Sequence, residues 1–337
     1  MKRFFSFLVL AVFFAGCDDG DMQEVSFEFN ETAAKACNST GTAGNFFIYK
    51  TTDQRALILK LAERNFTNTV TSDTLGPGLI EVPINATNQL IYRVYNDVIT
   101  DGTVCSTSGI PASYPIVTEE RSASGGMMYV RTSVLKSEET TEGATSITEY
   151  LHTITFADIT FITADGSQRN ESLPPVTYRT LAPRFTFDNL SDVKICDEND
   201  YKLLFKYAND QAMSLKLSEA DAAFLFSNDI TAPKIRYLNS ENVLTYRFFS
   251  RTDITPLTDA YFCNETQPDL PVVKHVWTGN NSTDENTGRI EVLTEQIDDN
   301  AYKHTITLKN VTMSRNSQNF KLKRDFIFGT LEITTAP

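Results

Sequence analysis

Histidine and tryptophan are scarce in this chain, with three histidines and one tryptophan among 337 residues. A serine or cysteine nucleophile needs a neighbouring base, and only His152, His275 and His304 could supply one. The motifs of α/β-hydrolases, zinc proteases, P-loop enzymes and dinucleotide-binding enzymes are all missing. Glycoside hydrolysis needs two carboxylates, and a chain with 43 acidic residues contains many candidate pairs by chance. The presence of such pairs therefore does not indicate a glycosidase. We therefore expect a protein that is not an enzyme and predict no catalytic residues.

Residues that bind transition metals are also few. The five cysteines include no C-x-x-C pair, whereas zinc sites use cysteine and histidine at short spacing. The acidic runs at 197–200 and 284–286 do not have the spacing of a calcium-binding loop. We predict no metal site and no cofactor.

Basic residues are outnumbered, because 30 lysines and arginines stand against 43 aspartates and glutamates and give a formal net charge of −13. Such a surface repels the phosphates of nucleic acids and the headgroups of anionic lipids. We exclude nucleic acid as a partner and interpret the charge as that of a soluble surface.

The N-terminus has a hydrophobic run that is too short for a membrane span. Lys2 and Arg3 precede the apolar residues 4–14, whereas a spanning helix needs about 20 apolar residues. The run closes on FAGC, which ends at Cys17 and resembles the lipobox of bacterial lipoproteins. This resemblance implies that residues 1–16 are a signal peptide. It also implies that Cys17 becomes the acylated first residue and holds the protein in a membrane.

Acidic residues follow the cysteine directly. Asp18, Asp19 and Asp21 resemble the export signal of surface lipoproteins in Bacteroidota. The resemblance implies a tether at residues 17–23 and an outer-membrane protein that is anchored by lipid and exposed on the cell surface. In enteric bacteria an aspartate after the cysteine marks retention in the inner membrane instead, so the placement depends on the host.

The rest of the chain aligns with itself. Five segments and the cysteines recur in the same order at a nearly constant offset. We predict two copies of one domain, residues 24–182 and residues 183–337, joined near Pro174, Pro175 and Pro183. The matched segments are VSFEFN with RFTFDN, DQRALILKL with DQAMSLKL, LIYRVY with LTYRFF, YPIV with LPVV, and LHTITFADITF with KHTITLKNVTM.

The duplication also indicates how the cysteines pair. Once Cys17 is lipidated, the other four cysteines allow three pairings. Each copy has one pair at matching places, so we predict the disulfides Cys37–Cys105 and Cys196–Cys263. Such bridges imply an oxidising compartment beyond the inner membrane.

Apolar residues alternate at period two in many short runs, as in residues 304–312. These runs and the turn signals between them predict an all-β fold of two tandem homologous antiparallel β-sandwich-like domains. One short helix is expected over residues 218–226, with Ser218 as N-cap and Asp221 at the third helical position. His152 and His304 hold the same place in the two copies, and we expect both to face solvent or to cap a strand edge.

Two polar stretches, residues 119–147 and 278–295, differ most between the copies. We interpret each as a long hairpin with a solvated tip, and a divergent binding loop is the alternative. Trp277 lies at the edge of the second stretch. As the only tryptophan it is our candidate for a group that stacks on a ligand, and the alternative is that it covers one end of the core.

These observations lead to one main hypothesis and two alternatives. The main hypothesis is a non-enzymatic outer-membrane lipoprotein on the cell surface. It would bind an extracellular ligand or serve as an accessory subunit of an outer-membrane protein complex. The first alternative is a surface module that binds or degrades glycans, and the second is an adhesin or a surface-layer component.

Overall fold

Strands make up most of the part of the chain that the structure describes, which confirms the all-β fold. Cys17, Asp18, Asp19 and Asp21 lie outside the described residues, so the lipobox and the export signal stay predictions. The computed structural model describes residues 29, 33–37, 46–71, 78–105, 114–162, 166, 168–187, 193–197, 201–250, 255–264 and 266–334.

In the N-terminal half (residues 29–181) the described strands form one antiparallel sheet. Its order is β1-β2-β3-β5-β6-β7-β8, with β4 paired to β6 and β9 paired to β7. A 3-10 turn (Glu63–Asn65) and the short helix α1 (Asp101–Val104) connect strands. The strands are β1 (Lys35–Cys37), β2 (Phe47–Thr51), β3 (Arg55–Lys60), β4 (Ile80–Pro83), β5 (Gln89–Tyr95), β6 (Val117–Lys136), β7 (Ile147–Ile162), β8 (Gln168–Glu171) and β9 (Val176–Leu181).

In the C-terminal half (residues 193–334) the described strands form two antiparallel sheets, β10-β11-β12-β14-β15-β18-β19 and β13-β16-β17-β20. Helices α2 (Glu219–Leu225) and α3 (Asp259–Cys263) join strands. The strands are β10 (Lys194–Asp197), β11 (Tyr201–Ala208), β12 (Gln211–Ser218), β13 (Lys234–Tyr237), β14 (Val243–Phe249), β15 (Val273–Gly279), β16 (Arg289–Asp298), β17 (Ala301–Lys309), β18 (Thr312–Arg315), β19 (Gln318–Lys321) and β20 (Asp325–Thr334).

The predicted helix is confirmed at α2. The Ser218 hydroxyl accepts a hydrogen bond from the backbone N–H of Asp221 at 3.2 Å. This bond satisfies one of the amide groups that the first turn of a helix leaves without a partner. The matching place in the N-terminal half holds only the 3-10 turn.

Both halves build the same two layers from their strands. In the N-terminal half β6 bends, so that its first part pairs with β5 and its later part with β4. In the same way β7 pairs first with β9 and then with β8. In the C-terminal half β15 and β16 stand in place of β6, and β17 and β18 in place of β7, so the layers are separate sheets. Each half is therefore sandwich-like.

The turns from one layer to the other lie at residues with left-handed backbone angles. Asp158 (φ 55°) marks the bend in β7, and Asn310 (φ 52°) separates β17 from β18. Gly126 (φ 121°) and Gly288 (φ 59°) mark the matching places in β6 and before β16. Gly, Asn and Asp adopt positive φ more readily than other residues. The identity of these four residues thus explains where the layers turn.

Gly126 provides a test of this bend. A Cβ atom at Gly126 would lie 2.8 Å from the backbone oxygen of Asp158, at a φ that suits glycine. We expect Gly126→Ala to lower the free energy of unfolding by roughly 2–3 kcal/mol, measured by chemical denaturation of the full chain. Gly125→Ala is the matched control, because a Cβ atom there would meet nothing within 4 Å. Equal losses in the two variants would contradict this explanation.

Each half has a second core on the outer face of one of its layers. This layer contains β1-β2-β3-β5 in the N-terminal half and β10-β11-β12-β14 in the C-terminal half. Alternate residues of β3 point to opposite faces of the layer. Leu57 and Leu59 belong to the core between the layers, whereas Ala56 and Ile58 belong to the outer core, so both sets are buried.

The outer core of the N-terminal half includes both cysteines of the disulfide Cys37–Cys105, and that of the C-terminal half includes Cys196, whose disulfide partner Cys263 is exposed. Both predicted bridges are present, each with Cα atoms 5.4 Å apart.

Side chains beside the two disulfides repeat as well. The Lys35 ammonium pairs with the Asp101 carboxylate at 2.8 Å, and Lys194 pairs with Asp259 at 2.6 Å. Each lysine precedes its disulfide cysteine by two residues, and each aspartate begins a short helix that leads to the second cysteine. Matching sequence segments thus occupy matching positions in the two halves.

Candidate functional site

A cavity of about 570 Å³ lies where the two halves meet. The tip of the β6–β7 hairpin (residues 137–148) and the linker (residues 182–187) contribute to one side of it. Aromatic residues of the C-terminal half form the other side. Small-molecule sites in proteins measure roughly 300–1,000 Å³. The cavity is therefore large enough for a small ligand.

Two paired strands build the aromatic wall of the cavity, which we define as Tyr246, Phe248, His275 and Trp277. Tyr246 of β14 lies opposite Trp277 of β15, and Phe248 lies opposite His275. Residues two apart in a strand point to the same face of a sheet. The four rings consequently cover one face of β14 and β15 at the cavity.

Trp277, the candidate for ligand stacking, lies inside β15 and belongs to the core of the C-terminal half. Its side chain is 6% exposed, and its ring meets that of Phe320 edge to face, with centroids 5.1 Å apart. Both Trp277 and Phe320 also line the cavity. Trp277 is thus a core residue that forms part of the cavity surface, and not an exposed platform.

The positions of the aromatic wall carry different residues in the N-terminal half. There Tyr92 and Val94 of β5 lie opposite Arg121 and Glu119 of β6. The Arg121 guanidinium forms an ion pair with the Glu119 carboxylate. An ion pair therefore replaces the tryptophan and the histidine, although the strands and their register are repeated. The aromatic wall is a feature of the C-terminal half.

The hairpin predicted for the first polar stretch is present, and residues 138–142 at its tip are exposed, but the tip also contacts the other half of the chain. The backbone N–H of Thr145 donates to the carbonyl of Lys321 at 3.1 Å, and the N–H of Lys321 donates to the Thr145 hydroxyl at 2.9 Å. The N–H of Arg324 donates to the carbonyl of Glu142 at 2.8 Å. The hairpin tip is thus a binding element whose partner is the other half of the same chain.

Charged and aliphatic side chains add to this contact. Lys321 pairs with Glu139 at 2.8 Å, and Lys323 pairs with Glu142 at 3.1 Å. Ile147, at the start of β7, packs against the core of the C-terminal half. These contacts hold the hairpin tip over the end of the second sandwich, where the cavity lies.

The second polar stretch is not a hairpin. Residues 280–288 form the connection between β15 and β16, at the place where β6 of the N-terminal half runs on through Gly125 and Gly126. The hairpin between β16 and β17 turns at residues 299–300 instead. Only the N-terminal half therefore has a long hairpin tip that can reach its neighbour.

A second set of polar contacts joins the halves behind the cavity. The Tyr150 hydroxyl donates to the side-chain oxygen of Gln318 at 3.2 Å. The Arg315 guanidinium donates to the carbonyl of Asn68 at 3.0 Å and to the Thr69 hydroxyl at 2.9 Å. The bond to Gln318 helps to position Tyr150, which lines the cavity.

The titratable groups of the aromatic wall are uncharged near neutral pH. Burial, together with the positive charge of Arg315, lowers the pKa of His275 to about 4. Burial raises the pKa of Tyr246, and it raises the pKa of Tyr150 on the hairpin side. The Nδ1 atom of His275 is buried and has no hydrogen-bond partner.

The expectation that His152 and His304 face solvent or cap a strand edge was wrong. Both are fully buried, and each Nδ1 lies within hydrogen-bond distance of a threonine hydroxyl on the neighbouring strand, Thr132 at 2.9 Å and Thr294 at 3.0 Å. Each imidazole also meets a phenylalanine edge to face, Phe66 or Phe226. The hydrogen bond to threonine gives each Nδ1 atom a partner, which makes the burial of the imidazole less costly.

Burial lowers the pKa of His152 and of His304 to about 4 in each case. Both imidazoles are therefore neutral core groups at physiological pH. Neither of them lines the cavity. They contribute to packing and not to the chemistry of the site.

Among the residues that the structure describes, no three His, Cys, Asp or Glu side chains are grouped so that they could hold a metal ion. No helix in the described part of the chain has the length and apolar character to cross a membrane. Comparison with known protein families, with curated proteins and with solved structures finds no match to this chain. The cavity offers a ligand ring surfaces, hydroxyl groups and a neutral imidazole, which is chemistry suited to binding.

Proposed function

We propose that this protein is a surface-exposed outer-membrane lipoprotein that works as a non-enzymatic binding protein and holds a small ligand in the cavity between its halves. The observation that carries the proposal is the aromatic wall. At these positions the C-terminal half has a ring cluster where the N-terminal half has an ion pair, and the rings line a cavity of small-molecule size. Aromatic walls with a few polar groups are typical of ligand sites.

The anchor rests on the resemblance of the N-terminal residues to a lipobox. The disulfides support a compartment outside the cytoplasm, because such bridges persist in oxidising surroundings. We expect Cys17→Ala to move the full chain from the membrane fraction to the soluble fraction, since acylation of Cys17 would be the anchor. Retention of this variant in the membrane would contradict the proposed anchor.

A second candidate, an accessory subunit of an outer-membrane protein complex, is favoured by a separate feature. Both halves expose apolar side chains at the same place: Tyr114 and Ile116 in one, Leu270 and Val272 in the other, with 44–66% of each side chain exposed. Paired apolar residues on the surface are a common feature of protein contacts. This candidate does not involve the cavity.

Purification of the tagged full-length protein from mildly solubilised outer membranes distinguishes the two candidates. Native mass spectrometry would detect a bound small molecule, and peptide mass spectrometry would identify proteins that co-purify. We expect a small molecule that is present with the wild type and absent when Ala182→Phe fills the cavity. Ala182→Ser is the matched control, because it changes the same lining residue without filling the space. A stoichiometric membrane protein and an empty cavity would favour the accessory subunit instead.

A further inference from the structure

The cavity has two walls that differ in chemistry. The aromatic wall includes Phe248 and His275, which are half-buried and stack with ring centroids 6.1 Å apart. The hairpin tip supplies hydroxyl groups to the lining, among them those of Ser137, Thr140 and Thr145. A ligand that fills the space must present an apolar face to the rings and hydrogen-bonding groups to the hairpin tip.

The hydroxyl groups of the hairpin tip are positioned by the backbone. Ser137, Thr140 and Thr145 each accept one hydrogen bond from a backbone N–H, at 2.9, 3.1 and 2.9 Å respectively. A hydroxyl group has one proton to donate and two lone pairs. Each of the three therefore keeps its proton and one lone pair for a further partner, in a position that the backbone fixes.

Arg184 of the linker adds a positive charge to the lining. It forms no ion pair with any residue that the structure describes, whereas Lys321 pairs with Glu139. A guanidinium group matches a carboxylate in geometry, because two parallel N–H groups can donate to its two oxygens. Arg184 is thus available to an acidic group on a ligand.

We propose that the cavity binds an acidic oligosaccharide, and this proposal rests on the ligand-binding function given above. The C–H face of a sugar ring is apolar and packs against aromatic rings, while its hydroxyl groups can donate to and accept from the hairpin tip. The acidic group pairs with Arg184. A fatty acid or an aromatic acid has no hydroxyl groups to pair with those of the hairpin tip, so it would form fewer hydrogen bonds in this cavity than a sugar.

The test is a calorimetric titration of the detergent-solubilised full-length protein with three sets of probes. The first set is oligosaccharides that contain a uronic acid, the second is the same sugars with the carboxylate reduced to an alcohol, and the third is fatty and aromatic carboxylic acids. We expect the first set to bind most tightly, the second about 10-fold more weakly, and the third about 100-fold more weakly than the first. Arg184→Gln should remove the preference for the acidic sugars.

Matched variants assign the binding to the cavity. Phe248→Ala should weaken binding about 10-fold or more, because it removes a ring from the aromatic wall. Val94→Ala alters the corresponding strand position in the N-terminal half, outside the cavity, and should leave binding unchanged. Thermal unfolding of both variants shows that each is folded. Ala182→Phe fills the cavity from the linker and leaves the aromatic wall unchanged, and it should also abolish binding.

Each outcome supports or overturns the proposal. Tight binding of uronic acid sugars that depends on Phe248 and Arg184 supports it. Binding of the reduced sugars with equal affinity, or binding of the carboxylic acids alone, overturns the acidic oligosaccharide but leaves the cavity as a ligand site. If no probe binds, the acidic oligosaccharide is overturned. The proposed function fails as well only if, in addition, the protein purified from its membrane holds no small molecule.

Discussion

Acidification from pH 6.5 to pH 4 is expected to destabilise the folded protein by about 3 kcal/mol for each of its two fully buried histidines. Burial lowers the pKa of His152 and of His304 from 6.5 to about 4 in the folded state. The unfolded chain therefore binds more protons than the folded chain between these values. Stability is unaffected above pH 6.5 and falls as the pH drops through this window.

The measurement is the free energy of unfolding by chemical denaturation at several pH values across the window. His152→Gln and His304→Gln each remove one titrating imidazole and keep an acceptor for the threonine hydroxyl. We expect each single variant to lose about a third of the pH dependence that the three histidines cause, and the double variant to lose about two thirds of it. His275, whose pKa is also lowered to about 4, keeps its share of the pH dependence in the double variant. A double variant with the full pH dependence of the wild type would contradict the assignment.

Loss of either disulfide is expected to lower the free energy of unfolding by about 4 kcal/mol. The bridges close loops of almost equal length, with sequence separations of 68 and 67 residues. Removal of either bridge therefore raises the entropy of the unfolded chain by nearly the same amount. Each bridge also ties its loop to an outer core through a buried cysteine, Cys37 or Cys196. We therefore expect similar losses in the two halves.

Matched double variants provide the test. Cys37→Ala with Cys105→Ala removes the first bridge, and Cys196→Ala with Cys263→Ala removes the second. Denaturation curves of the full chain in guanidinium chloride give the two losses. A loss near zero for either pair would show that the bridge does not restrain the unfolded chain as its loop length predicts.

Sequence patterns predicted much of the fold, because the relevant signals are local. Period-two alternation indicated strands, and Ser218 three residues before Asp221 indicated the cap of α2. The cysteine pairing followed from the predicted duplication. The same alternation also contained the position of His304, since it lies two residues before Ile306 and on the same face, but the prediction gave more weight to the polarity of histidine.

Another repeated signal was missed, although it is visible in the sequence. Asn85 and Asn239 each accept backbone hydrogen bonds from the second and third residues that follow, and each forms the turn before a central strand. Both are followed by a second asparagine three residues later, Asn88 and Asn242. A search for repeated turn residues as well as repeated strands would have found this match.

The candidate site could not be predicted, because it depends on contacts between distant parts of the chain. Nothing in the local sequence around Thr145 indicates that the hairpin tip pairs with Lys321, 176 residues further on. Trp277 was singled out because of its rarity, yet its place in the cavity depends on the hairpin tip and the linker. The equivalence of Arg121 with Trp277 becomes clear only from the register of the strands.

The most direct test of the cavity as a ligand site uses Trp277 as a probe, because it is the only tryptophan in the chain. The full-length protein is titrated with anilinonaphthalene sulfonate, an amphipathic anionic dye that accepts energy from tryptophan, and the emission of Trp277 is recorded. We predict saturable quenching with one dye per chain, abolished by Ala182→Phe and retained by Ala182→Ser. Emission from folded wild-type protein that does not change with dye, or that changes equally in the filled variant, would contradict the account.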